Sequence, residues 1–256
     1  MRCDKLQGSK AFWPFTYPAR VYYKPRAWLL VPKRFHRHPG LQILLKVLAR
    51  YRATRHLFLS GSEYDTSERI AEIPFVISNL GPEDCTILDV GSCWSTLPLE
   101  LAHIGRKVFA VDQLPYALKH PNLVAIQADI GKLCLPSNFF DTVTCVSTIE
   151  HIGIGHYGDP SGKDGDKAAI KELRRVLKPG GKLLLTTPFG KAADDWQRVY
   201  DLPRIQALLS GFEVVSMKVL SKKGHSWVEV APEEAAAIDS ARVTHAVVMT
   251  VARKPA

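Results

Sequence analysis

Ile87-Leu88-Asp89-Val90-Gly91-Ser92-Cys93-Trp94-Ser95 is followed by Val108-Phe109-Ala110-Val111-Asp112. In the first stretch an apolar strand runs into a glycine, which has no Cβ to block a tight turn or a ligand's close approach. A helix is expected to follow, near residues 95–104. The second stretch is another apolar strand, and it ends in an acid 23 residues after Asp89. In an open parallel sheet, ligands bind beyond the carboxyl ends of the strands, where the strand order reverses. Asp112 at such an end can accept hydrogen bonds from both hydroxyls of a ribose.

Working outward, strands are expected near 85–90, 107–111, 123–127, 142–147, 182–188, 212–220 and 243–252. Helices are expected near 95–104, 115–119, 166–177 and 202–210. Alternation of this kind predicts a parallel sheet with helices on both faces. Asp129 follows the third strand, Leu123-Val124-Ala125-Ile126-Gln127. Its carboxylate is suited to an adenine amino group, with the Ile130 N–H on a ring nitrogen. Upstream, Asp65-Thr66-Ser67-Glu68 reads as a capping box with an acid in place of the hydroxyl. The helix it opens carries Ile70, Ile73, Val76 and Leu80 and stops at Gly81-Pro82. Pro74 should kink it.

The 256 residues suit one domain with an extension, and 46% of them are hydrophobic. No apolar run approaches the ~20 residues needed to span a bilayer. Five cysteines without a C-x-x-C pair argue against a disulfide framework or a zinc cage, and for a reducing cytoplasm. Charge is uneven. Residues 1–60 hold thirteen Lys/Arg and one acid, Asp4; the other 196 residues hold 21 basic and 24 acidic side chains. The same first sixty residues carry ten of the 23 aromatics, Trp13, Tyr17, Tyr22, Tyr23 and Trp28 among them. Residues 1–60 therefore read as a basic aromatic extension, and 61–256 as the main domain. Leu41, Leu44, Leu45, Leu48 and Tyr51 recur at helical spacing within the extension. Such asymmetry suggests an anionic partner: a phosphorylated small molecule, nucleic acid or an acidic membrane surface.

Residues 85–220 resemble the class I S-adenosylmethionine-dependent methyltransferases. The resemblance rests on Leu88-Asp89-Val90-Gly91, on Val108 to Asp112, on Asp129, and on Leu173-Arg174-Arg175-Val176-Leu177-Lys178-Pro179-Gly180-Gly181-Lys182-Leu183. It implies an α/β, Rossmann-like three-layer sandwich whose seven-stranded, mostly parallel sheet has an antiparallel last strand. It also implies S-adenosyl-L-methionine as cofactor. Asp89, Gly91, Ser92, Cys93, Asp112, Gln113, Asp129, Ile130 and Ser147 are the expected cofactor-binding residues. Cys93 and Ser95 stand where dinucleotide folds need glycines, which argues against a pyrophosphate ligand. No metal is expected, although Asp159, Asp164 and Asp166 lie close together in sequence.

After the fourth strand comes Ser147-Thr148-Ile149-Glu150-His151-Ile152-Gly153-Ile154-Gly155-His156-Tyr157-Gly158-Asp159-Pro160. An E-H pair here resembles the small-molecule branch of these enzymes, including quinone and sugar O-methyltransferases. A hydroxyl acceptor gains from a base that takes its proton, and histidine suits neutral pH. His151 and His156 are the expected catalytic residues. Glu150, Tyr157, Arg198 and Tyr200 are the expected acceptor-binding residues; alternatively, Arg198 ties its loop to Asp194 or Asp195. His225 and Trp227 either close over the site or form a surface hairpin. The reading is methyl transfer to a small-molecule hydroxyl, on a sugar or glycan precursor, with the aromatic extension as a lid. The alternatives are an RNA methyltransferase gripping its substrate with the basic arm, and a non-catalytic scaffold of the same fold.

Overall fold

The computed structural model describes residues 67–93, 95–155 and 164–256. The extension 1–60, its amphipathic helix, the Asp65 cap, Trp94, His156, Tyr157 and Asp159 lie outside the described residues.

The unit Ser67–Ala256 is built on one eight-stranded sheet with strand order β3-β2-β1-β4-β5-β10-β8-β9. β1 (Thr86–Val90), β2 (Lys107–Asp112), β3 (Leu123–Gln127), β4 (Phe140–Val146) and β5 (Leu177–Pro188) pair in parallel. β10 (Ala246–Arg253) runs antiparallel to both β5 and β8 (Glu213–Lys223), as expected for the last strand. β9 (Ser226–Val230) is an eighth strand that the sequence reading missed; it folds back on β8 as an edge hairpin. His225 and Trp227 belong to that hairpin, so they lie at the sheet edge away from β1 and do not close over the strand ends.

Alternation along each central strand sends side chains to both faces. Ile87 joins one core with Leu97, Leu101, Phe75 and Val76, while Leu88 and Val90 join the other with Ile170, Leu173 and Val176. The first core lies under α1 (Arg69–Ser78) and α2 (Leu97–His103), the second under α3 (Gly165–Val176) and α4 (Leu202–Leu208). α3 buries Ala169, Ile170, Leu173 and Val176, a stripe at helical spacing. A two-stranded ribbon, β6 (Ala193–Asp194) with β7 (Arg198–Val199), lies in the connection after β5. α5 (Pro232–Ala235) is a short helix in the connection between β9 and β10.

Three local expectations are corrected. No helix forms at 115–119; the segment is irregular, and the Tyr116 hydroxyl donates to the Ser95 carbonyl at 3.0 Å. β5 begins at Leu177, before Pro179-Gly180-Gly181, and the register slips there between Phe140 and Thr142. In α1 the buried side chains are Glu72, Phe75 and Val76, while Ile70 is exposed. α1 starts at Arg69 behind Glu68 and continues through Pro74.

Candidate active site

β1 and β4 are neighbours in the sheet but not in sequence, so their connections leave in opposite directions and a cleft opens at their carboxyl ends. That cleft holds a cavity of about 250 Å³. Its wall includes Gly91, Ser95, Asp112, Gln113 and Ile130 on the β1–β3 side, and Arg69, Ser147, Thr148, His151 and Ile152 around the end of β4.

Gly91 takes φ +79°, a left-handed conformation, and its N–H donates to the Val111 carbonyl at 2.9 Å. The turn therefore stays pinned to β2 while its backbone faces the cleft. Asp112 ends β2, and its carboxylate accepts the Cys93 N–H (3.0 Å) on one oxygen and the Leu114 N–H (2.8 Å) on the other. Each oxygen keeps lone-pair capacity for a further donor, which suits a vicinal diol. Asp129 caps the short turn Ile130–Lys132 by accepting the Gly131 N–H at 2.8 Å.

Asp89 is buried beneath the turn, where Thr144 Oγ1 donates to it at 2.5 Å. Burial pushes its carboxyl up to about 7, against the pull of that hydrogen bond. It lies beneath the turn and does not line the cavity. Ser92 is fully buried in the turn, and Cys93 serves Asp112 through its backbone.

The other end of the cleft is polar. Ser147 takes φ +42°, an unusual conformation for a serine that must be held by its surroundings. Its N–H donates to the Thr186 carbonyl (3.1 Å) and to Thr186 Oγ1 (3.0 Å). Its hydroxyl donates to Glu72 Oε1 at 2.5 Å. Arg69 Nη1 donates to the Val146 carbonyl (3.0 Å) and to Glu72 Oε2 (3.2 Å). Neither Arg69 nor Glu72 stands out in the sequence, where this helix is read for its apolar residues Ile70, Ile73, Val76 and Leu80. Burial raises the Glu72 carboxyl above the usual range despite the Arg69 attraction.

His151 ends the short turn Ile149–His151 and stands on the cavity wall. Glu150 does not line the cavity. It is buried behind His151, with its Oε1 3.9 Å from His151 Nε2, and burial pushes its carboxyl well up. Arg198 and Tyr200 are also corrected. Both are buried and neither lines the cavity. Tyr200 donates to Asp166 Oδ2 at 2.9 Å; Arg198 donates to the Ile152 carbonyl at 3.1 Å and lies 3.5 Å from Asp166 and 3.4 Å from Asp194. The alternative reading, in which Arg198 ties its loop to Asp194, fits this geometry. Asp166, read as a possible metal neighbour, is the hub of this latch instead.

Sequence relatives match somewhat under half of the chain. The ubiquinone biosynthesis O-methyltransferase of Xanthomonas axonopodis pv. citri is 29% identical over 125 residues, covering 45% of this chain and 48% of that protein. The ubiquinone/menaquinone biosynthesis C-methyltransferase UbiE of Paraburkholderia phytofirmans is 34% identical over 120 residues, covering 47% and 42%. The chain spans about half the length of the curated relatives it matches. A SAM-dependent methyltransferase structure from Methanosarcina mazei superposes with a TM-score of 0.51 at 18% identity, over 70% of this chain and 97% of that one. The fold is that of the class I S-adenosylmethionine-dependent methyltransferases. A family model described as a Caenorhabditis protein of unknown function, DUF268, also matches residues 132–252 of this chain. That span begins beyond the Gly91 turn and takes in the His151 turn, the Arg198 latch and most of β10. No helix among the described residues is long and apolar enough to cross a membrane.

Proposed function

We propose that this protein transfers a methyl group from S-adenosyl-L-methionine to a hydroxyl of a small molecule, of the sugar or glycan-precursor class, in a reducing cytoplasm. One observation carries the reading: a single cleft joins the diol-accepting Asp112 to an opposite end formed by Arg69, Ser147 and His151.

S-adenosylmethionine supplies a methyl group made electrophilic by its sulfonium. Such in-line displacement asks mostly for positioning. Asp112 accepts the ribose hydroxyls. Ile130 offers its N–H to the adenine ring, and Asp129 keeps one oxygen for the amino group while capping the turn that presents Ile130. Gly91 lets the backbone approach, and Gln113 flanks the sugar. Arg69 pairs with the amino-acid carboxylate as a charge-assisted contact. His151 would take the acceptor hydroxyl proton as the C–O bond forms and the methyl–sulfur bond breaks, its electron pair staying on sulfur so that S-adenosylhomocysteine leaves as a neutral thioether.

The test is transfer of isotopically labelled methyl from S-adenosylmethionine into pooled sugars and glycan precursors. Label in an alkali-stable ether is the expected result. Label in RNA, or in no acceptor at all, would overturn the small-molecule reading; the first outcome would give the basic segment 1–60 its role. His151→Asn should slow turnover by about a hundredfold or more, the usual contribution of a positioned base. Its affinity for S-adenosylhomocysteine should stay unchanged. Equal loss of both would return His151 to structure.

A further inference from the structure

Glu72 does not itself line the cavity, yet three groups converge on its carboxyl. Ser147 Oγ and Thr186 Oγ1 both donate to Oε1, at 2.5 and 2.6 Å, and Arg69 Nη1 faces Oε2 at 3.2 Å. The residue is fully buried. Its partners Ser147 and Thr186 lie 75 and 114 residues away in sequence, at the end of β4 and near the end of β5. Two of the three partners, Arg69 and Ser147, do line the cavity.

Burying a carboxylate costs free energy that a helix anchor does not require. A leucine at this inward position of α1 would join Phe75 and Val76 and cost nothing in desolvation. What an apolar side chain cannot do is hold a serine in the left-handed region and aim a guanidinium at the same time. Without an acceptor for its hydroxyl, Ser147 loses one of the bonds that keep φ at +42°. Without a counter-charge, Arg69 keeps only the Val146 carbonyl and is free to swing into solvent.

We propose that Glu72 is a positioning residue for the amino-acid end of the cofactor, acting through Arg69 and Ser147 together. The inference rests on the cofactor assignment under the proposed function, and it adds the residue that sets the geometry there. It concerns ligand parts and not the whole ligand. The nucleoside end, held from Asp112 and Ile130, gains nothing from Glu72.

Glu72→Gln is the informative substitution, because it keeps size and the Oε1 acceptor but turns an N–H₂ donor toward the Arg69 guanidinium. Calorimetry on the full chain would compare S-adenosylhomocysteine with 5′-methylthioadenosine, which lacks the amino-acid end, the latter by displacement where direct heats are small. Glu72→Gln should weaken S-adenosylhomocysteine tenfold or more and leave methylthioadenosine within twofold. In an Arg69→Ala background the same change should weaken S-adenosylhomocysteine by clearly less, since one of its two routes is already gone. Equal loss of both ligands, or full additivity with Arg69→Ala, would make Glu72 a plain structural anchor and overturn the inference. An unchanged S-adenosylhomocysteine affinity would overturn it too. A wild-type chain that binds neither ligand would instead overturn the cofactor assignment beneath it.

Discussion

Gly91 and Thr148 compete for the same space: a Cβ added to Gly91 would fall inside the Thr148 side chain. Thr148 is itself fixed, donating to the Val90 and Val146 carbonyls. The glycine of the cofactor turn is thus required twice, by its left-handed backbone and by the loop after β4. Gly91→Ala should cost about 3 kcal/mol, from overpacking and from the conformational penalty together. It should also abolish S-adenosylhomocysteine binding. Adding Thr148→Gly should recover the packing part in thermal melts while the backbone penalty of about 1 kcal/mol remains.

Asp112 already accepts two backbone N–H groups, so its removal undoes the turn as well as the ligand contact. Asp112→Ala should weaken S-adenosylhomocysteine by a hundredfold or so, one or two lost charge-assisted hydrogen bonds being worth that much. Asp112→Asn, which keeps one acceptor, should lose less. Unchanged calorimetric affinity in Asp112→Ala would remove the ribose assignment.

Asp89 gives the fold a pH signature. Its carboxyl is raised in the folded state to about 7, so the folded protein holds a proton that the unfolded chain releases. The stability from that proton is fully present below the unfolded value near 4, and it is lost as pH rises through about 7. Relative to wild type, Asp89→Asn should gain a few kcal/mol of stability between pH 5 and pH 8. Chemical denaturation at the two pH values measures the difference. A constant offset between the two proteins would mean that Asp89 stays ionised.

The latch formed by Asp166, Arg198 and Tyr200 should govern the acceptor side alone. Tyr200→Phe leaves Asp166 with one fewer donor in a buried place and should cost about 1–3 kcal/mol in melts. Arg198→Lys should slow methyl transfer by releasing the Ile152 carbonyl, while S-adenosylhomocysteine affinity holds. If cofactor affinity falls in step with turnover, the latch supports the whole cleft.

The sheet was legible because its signals are local. The strand from Ile87 to Val90 and the one from Val108 to Asp112 each announce themselves within a few residues, and alternation fixes their parallel pairing. The antiparallel last strand came with the family resemblance. The β8–β9 hairpin was legible only as one of two readings, because His225 and Trp227 read equally as a lid and as a surface hairpin. Glu72 was hidden for a different reason. On a helix a glutamate reads as solvent-facing, and only partners 75 and 114 residues away show that it points inward. Arg198 reversed its expected role in the same way: a cation near a cleft rim looks available until Asp166, half a helix turn into α3, is brought beside it.

The turn after β1 lacks the further glycines of dinucleotide sites, and the fate of its side chains explains why this is tolerated. Cys93 Sγ reaches the Pro115 carbonyl at 3.9 Å, and Ser95 Oγ accepts the Leu97 N–H at 3.1 Å as α2 begins. Both side chains are committed to neighbouring segments, and at Gly91 the cleft meets only main chain. A site recognised through its main chain is free to drift in sequence while keeping its ligand. The turn's spelling is then a record of which loops it must brace, and a search by glycine pattern will pass over proteins whose turn is braced as this one is.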